Sequence, residues 1–465
     1  MSAPLIWIGI PLIFSLMLFI IRGNRLITLI IGGGISAFLA LLALTFKIES
    51  VFPLGPISLE ISSTFTILGR NFVITDSERL IVALLYSMCA FWIFGSRISG
   101  TNSFFVPNVL VIITLFVAAL SVQPFLYAAL IIEIAVLISI PIFFQRGQPV
   151  KQGIIRYLVF QTLAVPFILF AGWGFEVAPT SVDSQAAYYQ AGVLLAIGLG
   201  LWLAIFPFHT WVPLLARDGH PYSAGFIFSM IPTTIFIFFL DFFNTFSWLR
   251  EETLLLTICQ ILGIVMIVLG GLFAAFQREL TRLVGYAVMV EIGFSLLAIS
   301  LNQVIGWQSY ILIMIPRIIG IAICTLAISI WKNKELNIDF DSFHGVYYQS
   351  TFAVLGFLVG WFTFSGLPLL PGFPTKLPIL IGLSQLTITP LIFVSIGLFG
   401  LFVAGFRFLA IIFSTRHNEN EIESESLLQK IYFSIGIVLL IIMGIFPSVV
   451  LNPFLEILSA FANLV

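Results

Sequence analysis

Residues 365–380 read SGLPLLPGFPTKLPIL, and they interrupt apolar sequence that otherwise runs from 350 to 413. Glycine loosens the backbone and proline removes an amide donor, so Gly366, Pro368, Pro371 and Gly372 break a helix here. Irregular backbone at membrane depth persists only inside protein or beside a water-filled cavity. A second break, Phe206-Pro207-Phe208-His209, lies in the earlier half of the chain. Taken singly, each would be an ordinary proline kink. Two breaks in corresponding places, each beside a polar residue (His209, Lys376), point instead to an inverted-repeat transporter.

The composition around these breaks is that of a multi-pass membrane protein. Of 465 residues, 60% are hydrophobic and 9% charged, with a mean hydropathy of +1.14; a soluble globule carries roughly 25% charged residues. Twenty Lys+Arg against 21 Asp+Glu leave no basic field for nucleic acid and no acidic tail. Cys89, Cys259 and Cys324 each stand alone in apolar sequence. With no CxxC pair, Cys/His cluster or Gly-rich phosphate loop, no disulfide scaffold, metal centre or bound cofactor is expected.

A crossing helix needs about 20 apolar residues, which gives about fourteen spans. They lie near 4–22, 26–46, 79–97, 105–122, 124–144, 154–175, 189–206, 222–243, 253–276, 280–301, 305–331, 350–370, 377–413 and 430–452. The thirteenth is long enough for a half-helix plus a full span. The first has no charged n-region and no small-residue cleavage site, so it is expected to stay in place. Residues 47–78 are polar and β-rich and read as a surface hairpin on the extracytoplasmic side. Arg22 and Arg25, Arg97, Arg146 and Lys151, Arg217, Arg278 and Arg282, Lys332 and Lys334, and Arg416 all fall in odd-numbered loops. Even-numbered loops are neutral, or mixed and acidic, as with Glu176 and Asp183. The positive-inside rule then puts both termini on the non-cytoplasmic side of the cell (inner) membrane. Four regions follow: N-terminal helices with the β-rich loop over 1–100, a first repeat over 101–245, a second over 246–415, and a C-terminal helix over 416–465.

An ionisable group at the bilayer centre costs at least about 2.5 kcal/mol, so it has a partner or a task. Glu133, in LIIEIAVLISI, is either a protonated carboxyl hydrogen-bonded in a helix interface or a proton-transfer site. Lys376, just past the second break, either meets water at unwound backbone or snorkels to the interface. Glu291 is a second isolated acid, and Arg317, beside Pro316, is its candidate partner because a guanidinium stays charged and clamps carboxylates. His209 is either a proton relay or a plain hydrogen-bonding residue. Arg156 and Arg407 lie nearer span ends, where anchoring is the default, and Asp241 reads as interfacial.

Several stretches resemble a known family. FPFHTWVP (206–213) followed by GHPYSAG is similar to the PFHxWxPDxxxxAPxPVS signature of the antiporter-like proton-translocating subunits. These occur in respiratory complex I (NADH:quinone oxidoreductase), related membrane hydrogenases and Mrp-type Na+/H+ antiporters. LTRLVGYAVMVEIGFSLLAI resembles that family's LKRLLAYSSISHMGFLLLGI, and FSGLPLLPGFPTKLPIL resembles LAGLPPLSGFxxKxxIL. LIIEIAVLISIPIFF matches the glutamate-bearing helix, GIIRYLVFQTLAVPFILFAG the KYFLLGALASALLL helix, and AGFRFLAIIF the YYxRLI segment. The matches run in order from Glu133 to Arg407.

The resemblance implies an all-α fold of fourteen helices with two inverted repeats and two discontinuous helices. It puts Glu133 on the glutamate that tunes a partner lysine, and Lys376 on the exit or terminal proton site of the second broken helix. His209 and Arg407 fall on positions of lesser-known role. The family's first broken-helix lysine corresponds to Trp202, and the lysine or histidine of the next helix to Thr233 or Thr234. The SSISHMG histidine is Glu291, and where some members carry HxxxK this chain has Pro316 and Gly320 with Arg317 between. Glu133 thus loses its expected partner. The chain ends soon after the last span, as in shorter members without a long lateral helix.

The expectation is a membrane-arm subunit of a complex I-type NAD(P)H- or ferredoxin:quinone oxidoreductase without a redox centre of its own. It sits in the lipid bilayer beside sibling antiporter-like and quinone-module subunits. A divergent Glu133, His209, Glu291, Arg317, Lys376, Arg407 path moves protons, or the subunit is structural. The rivals are an independent or Mrp-type cation/proton antiporter or ion-uptake subunit, and a non-pumping scaffold.

Overall fold

The computed structural model describes residues 2–54, 57–67, 69–144, 149–178, 184–302, 304–334, 336–414 and 425–464. Three loop charges of the orientation pattern, Arg146, Asp183 and Arg416, lie outside them. After a π-helical turn at Leu5–Gly9 come α1 (Ile10–Ile20), α2 (Arg25–Thr45), α3 (Arg79–Ser99), α4 (Phe105–Ser121), α5 (Leu126–Ser139) and α6 (Gln152–Val177). The first broken helix is α7 (Ser184–Trp202) and α8 (Trp211–Asp218), followed by α9 (Pro221–Thr245) and the short α10 (Ser247–Glu251). Next come α11 (Thr253–Phe276), α12 (Leu280–Ser300) and α13 (Val304–Asn333), then the second broken helix, α14 (Thr351–Ser365) and α15 (Gly372–Leu386). The chain closes with α16 (Ile388–Ile412), α17 (Leu427–Ile445), α18 (Pro447–Val450) and a 3-10 segment, Asn452–Ala460.

Nine of these helices are long and apolar enough to cross a membrane among the described residues. Their burial sorts them into shells. α9, α12 and α13 are enclosed almost all round, whereas α11, α16 and α17 leave most of their apolar surface uncovered. Helices that are apolar on every face and exposed on one are solvated by lipid rather than water. α13 is the hub, packing on α3, α9, α12, α14, α15 and α17.

The run 377–413, long enough for a half-helix plus a full span, divides into α15 and α16 at Thr387, which is extended at φ −156°. The run 430–452 stops at Ile445, because Pro447 disfavours helical backbone in Phe446. The β-rich segment forms two hairpins instead of one. β1 (Val51–Leu54) pairs with β2 (Ile57–Glu60), and β3 (Thr64–Ile67) with β4 (Arg70–Val73). A two-residue β5 (Val122–Gln123), just after α4, extends the second sheet.

The second break is built by two glycines. Gly366 sits at φ +76°, the left-handed conformation that closes a helix C-terminus. Gly372 opens α15 against α14, where an added Cβ would lie 1.7 Å from the Thr363 carbonyl oxygen. Gly372→Ala is therefore expected to destabilise the protein by roughly 1–3 kcal/mol through forced separation of the two half-helices. A thermal melt of the purified variant in detergent checks this, and an unchanged midpoint would refute it.

The two ends of the bundle differ chemically. Ser2 bridges to Ser62, and Phe461 lines the same cavity as Val73 and Gln123, so both ends of the described chain lie beside the β-hairpins. Basic loop residues gather in three other cavities: one holds Arg22, Arg25 and Arg97, a second Arg22, Arg25 and His220, a third His220, Lys151 and Lys332.

Candidate functional site

The helix break at 366–371 leaves the last carbonyls of α14 without helical partners. One of them, Phe364 O, accepts a 2.5 Å hydrogen bond from Lys376 Nζ. The C-terminal end of a helix carries partial negative charge, so it is a favourable seat for an ammonium group. The same Nζ lies 2.5 Å from Glu291 Oε1, with both side chains only 3% exposed. It also lies 4.8 Å from the centre of the Phe294 ring. Glu291, Phe294 and Ser295 share one face of α12 through their three- and four-residue spacing, so one helix face supplies the acid, the ring and a hydroxyl.

Arg317, on α13, extends this cluster. It is 1% exposed. Its Nη1 donates to Ser295 Oγ and its Nη2 to Thr233 Oγ1, each at 3.1 Å. Ser295 in turn donates to the Glu291 backbone carbonyl at 3.0 Å, and Thr233 to that of Ser229 at 2.7 Å. Arg317 Nε and the buried hydroxyl of Thr234 have no hydrogen-bond partner among the described residues, and the buried Tyr310 hydroxyl faces the Arg317 guanidinium. The result is a polar axis through five helices: Thr233 on α9, Arg317 on α13, Ser295 and Glu291 on α12, Lys376 on α15, and the end of α14. With all three groups ionised it carries net charge +1.

Sequence reasoning paired Glu291 with Arg317; the structure pairs it with Lys376 and leaves Arg317 on hydroxyls. Thr233, Ser295, Phe294 and Tyr310 were not singled out for contact. The four-residue spacing of Glu291 and Ser295 was the signal available for one of them.

The remaining candidates stand apart. Glu133 Oε1 accepts a 2.7 Å hydrogen bond from Thr162, and its Oε2 has no partner among the described residues. Trp202 is fully buried; its Nε1 donates to the Gln161 carbonyl at 3.3 Å while Gln161 Nε2 donates to the Trp202 carbonyl at 3.2 Å. Beyond it stands Phe238, with ring centres 6.4 Å apart. An indole and a phenyl thus pack together at this point of the first broken helix. His209 stacks on Phe206 at 5.6 Å and forms no contact with the Lys376 cluster among the described residues. Arg156 is exposed, and Asp241 is exposed on the wall of a cavity of about 400 Å³ shared with Glu78.

Arg407 caps the end of α11. Its Nη1 donates to the carbonyl of Ala275 and, at 3.3 Å, to that of Gln277, with the guanidinium over the Phe340 ring. That is an anchoring geometry. Arg407→Gln is expected to lose roughly 1.5–3 kcal/mol of stability from the charged hydrogen bonds, with any ion transport by the parent assembly unchanged per folded molecule. Melting and vesicle transport measured on one preparation check this, and lost transport at an unchanged melting point would return Arg407 to the path.

Residues 158–403, more than half of the chain, match the transmembrane family described as NADH:quinone oxidoreductase/Mrp antiporter. NADH-quinone oxidoreductase subunit N of Chromohalobacter salexigens is 23% identical over 241 residues, covering 48% of this chain and 49% of that protein. NAD(P)H-quinone oxidoreductase chain 4 of a Synechococcus strain is 28% identical over 254 residues, covering 51% and 47%. The chain spans about half the length of the curated relatives it matches. A subunit in the Mrp complex of a Dietzia species superposes with a TM-score of 0.82 at 14% identity, over 99% of this chain and 97% of that one. One in NADH-bound respiratory complex I of Thermus thermophilus superposes at 0.79 and 15% identity, over 99% of both. The chain is a multi-pass membrane protein of the antiporter-like subunit family shared by NADH:quinone oxidoreductases and Mrp antiporters.

Proposed function

We propose that the chain is a membrane-arm subunit of a complex I-type NAD(P)H- or ferredoxin:quinone oxidoreductase, and that it moves protons through its second half, residues 246–415. The Glu291–Lys376 contact at the second helix break carries this proposal. A 2.5 Å contact lets a proton pass between Nζ and Oε1 with little heavy-atom movement. In a dry interior the ion pair and the neutral amine–acid pair are close enough in energy for a nearby charge to select between them. The unwound backbone beside Lys376 offers the exchange point with water. Glu133 and His209 belong to a first half whose relay is interrupted at Trp202 and Thr234.

On the same footing, the helices are read as fourteen crossings, with inverted repeats over 101–245 and 246–415, in the cell (inner) membrane. Basic loops at the end opposite the β-hairpins and chain termini support non-cytoplasmic termini. Quinone-module and sibling antiporter-like subunits are the proposed partners, since the superposing chains come from multisubunit complexes.

The Trp202–Gln161 lock favours a second version, in which the subunit is structural and does not pump. Independent or Mrp-type cation/proton exchange shares the fold and differs in its partners. Tagging the protein, extracting it gently and identifying co-purifying subunits by mass spectrometry separates these. Recovery with quinone-module, iron–sulfur and sibling antiporter-like subunits is expected. Recovery alone, or with a soluble metal-binding partner, would replace the oxidoreductase assignment by independent transport.

A further inference from the structure

At the end of the bundle away from the β-hairpins, Arg22 in the α1–α2 turn and Arg25 at the start of α2 face Arg97 near the end of α3 across a cavity of about 260 Å³. Arg22 and Arg25 also line an adjoining cavity of about 550 Å³. None of the three arginines forms an ion pair among the described residues. Arg22 is held in place all the same: its guanidinium lies 4.2 Å from the Phe19 ring centre and 4.3 Å from that of Phe104. Its Nη1 is buried without a hydrogen-bond partner among the described residues. A guanidinium fixed between two rings, with an unused donor and two further guanidiniums across a cavity, has the geometry of an anion site.

The surroundings identify the anion. Leu26 lines the same cavity, and Leu16, Ile20 and Leu26 are large, exposed apolar side chains on the helices that frame it. A cavity of 260 Å³ has the volume of several waters at roughly 30 Å³ each, enough for a phosphate. His220, which lines the adjoining cavity, contributes no charge, because burial and the Lys332 ammonium push it down to about 3. The positive charge is therefore that of the arginines, at the boundary between polar loops and lipid-facing helix.

We infer that this cavity is a binding site for the phosphate headgroup of an anionic phospholipid, whose acyl chains lie along the exposed face of α1 and α2. Basic cavities between helix ends suit such headgroups because each nearby guanidinium adds attraction and the apolar flank takes the chains. Two adjoining cavities sharing two arginines favour a lipid with two phosphates over one.

Arg25 and Arg97 are exposed and make no hydrogen bond among the described residues, so Arg25→Gln/Arg97→Gln removes charge without removing packing. Delipidated full-length protein is titrated, by native mass spectrometry and thermal shift, with diphosphatidylglycerol, phosphatidylglycerol, phosphatidylcholine and inorganic phosphate. The expected order of affinity is diphosphatidylglycerol, then phosphatidylglycerol, with phosphatidylcholine far weaker. The double variant is expected to bind both anionic lipids roughly thirtyfold more weakly. The control Lys47→Gln/Arg70→Gln, at the opposite end, is expected to bind like wild type. Unchanged affinity in the arginine variant, equal loss in the control, or equal binding of phosphatidylcholine would overturn the site. Inorganic phosphate matching the lipids would overturn the lipid and leave a free-anion site.

Discussion

Replacing Lys376 by alanine is expected to abolish proton translocation by the parent assembly and to lower the stability of the chain by about 3–5 kcal/mol. The stability loss follows from the geometry. Glu291 is 3% exposed and its ionic partner is Lys376, so truncation leaves a buried carboxylate, while Phe364 O loses the donor at the end of α14. Removing one member of a buried pair costs far more than removing both, because the survivor stays desolvated and unmatched. Lys376→Met keeps the aliphatic stem and should recover the packing part of the loss, though not the electrostatic part. Glu291→Gln/Lys376→Met removes both charges and should recover most of the stability while leaving transport dead. That divergence separates a proton-carrying pair from a structural one. Wild-type pumping by vesicles carrying the Lys376→Ala protein would sink the proposed path. Loss of pumping only in proportion to lost folded protein would make the pair structural.

Nine spans among the described residues were legible because a membrane helix announces itself by length and hydropathy. Both breaks were legible because Gly366 and Gly372, and the prolines at 207 and 368, carry the backbone chemistry in their identity. That the 377–413 run holds a half-helix plus a full span was legible from its length, but the boundary at Thr387 was not. Electrostatic partnership was not legible. Glu291 and Arg317 are isolated charges on consecutive helices, so proximity along the chain favoured pairing them. The partner came from 85 residues away, because α12 packs on both α13 and α15. Which helices touch is a property of the assembled bundle, and short-range periodicity does not encode it. Likewise Trp202 could be aligned with a lysine position from sequence, but its mutual bonds with Gln161 required the fold.

Arg317→Met is expected to cut proton translocation at least tenfold while leaving stability equal or improved. The stability side rests on what the guanidinium leaves behind. Ser295 and Thr233 already donate to the carbonyls of Glu291 and Ser229, so neither hydroxyl is stranded when Arg317 goes. The thioether fills the same channel between α9, α12 and α13 without a buried charge, and such exchanges are often neutral or stabilising. The transport side rests on charge balance. With Arg317 present, the cluster holds +1 when Lys376 carries its proton and zero when it has given it up. Without Arg317, those values become zero and −1, so the loaded state is the neutral one and unloading is opposed. At an effective dielectric of 20, unit charges on neighbouring buried side chains interact by roughly 1.5–3 kcal/mol, which is tenfold or more in rate if unloading limits turnover. Arg317→Lys keeps the charge and should restore much of the transport even though it loses one of the two hydroxyl contacts. If Arg317→Met pumps like wild type, the fixed cation plays no part in unloading Lys376. If Arg317→Lys is as dead as Arg317→Met, the guanidinium acts through its paired contacts to Ser295 and Thr233 rather than through its charge.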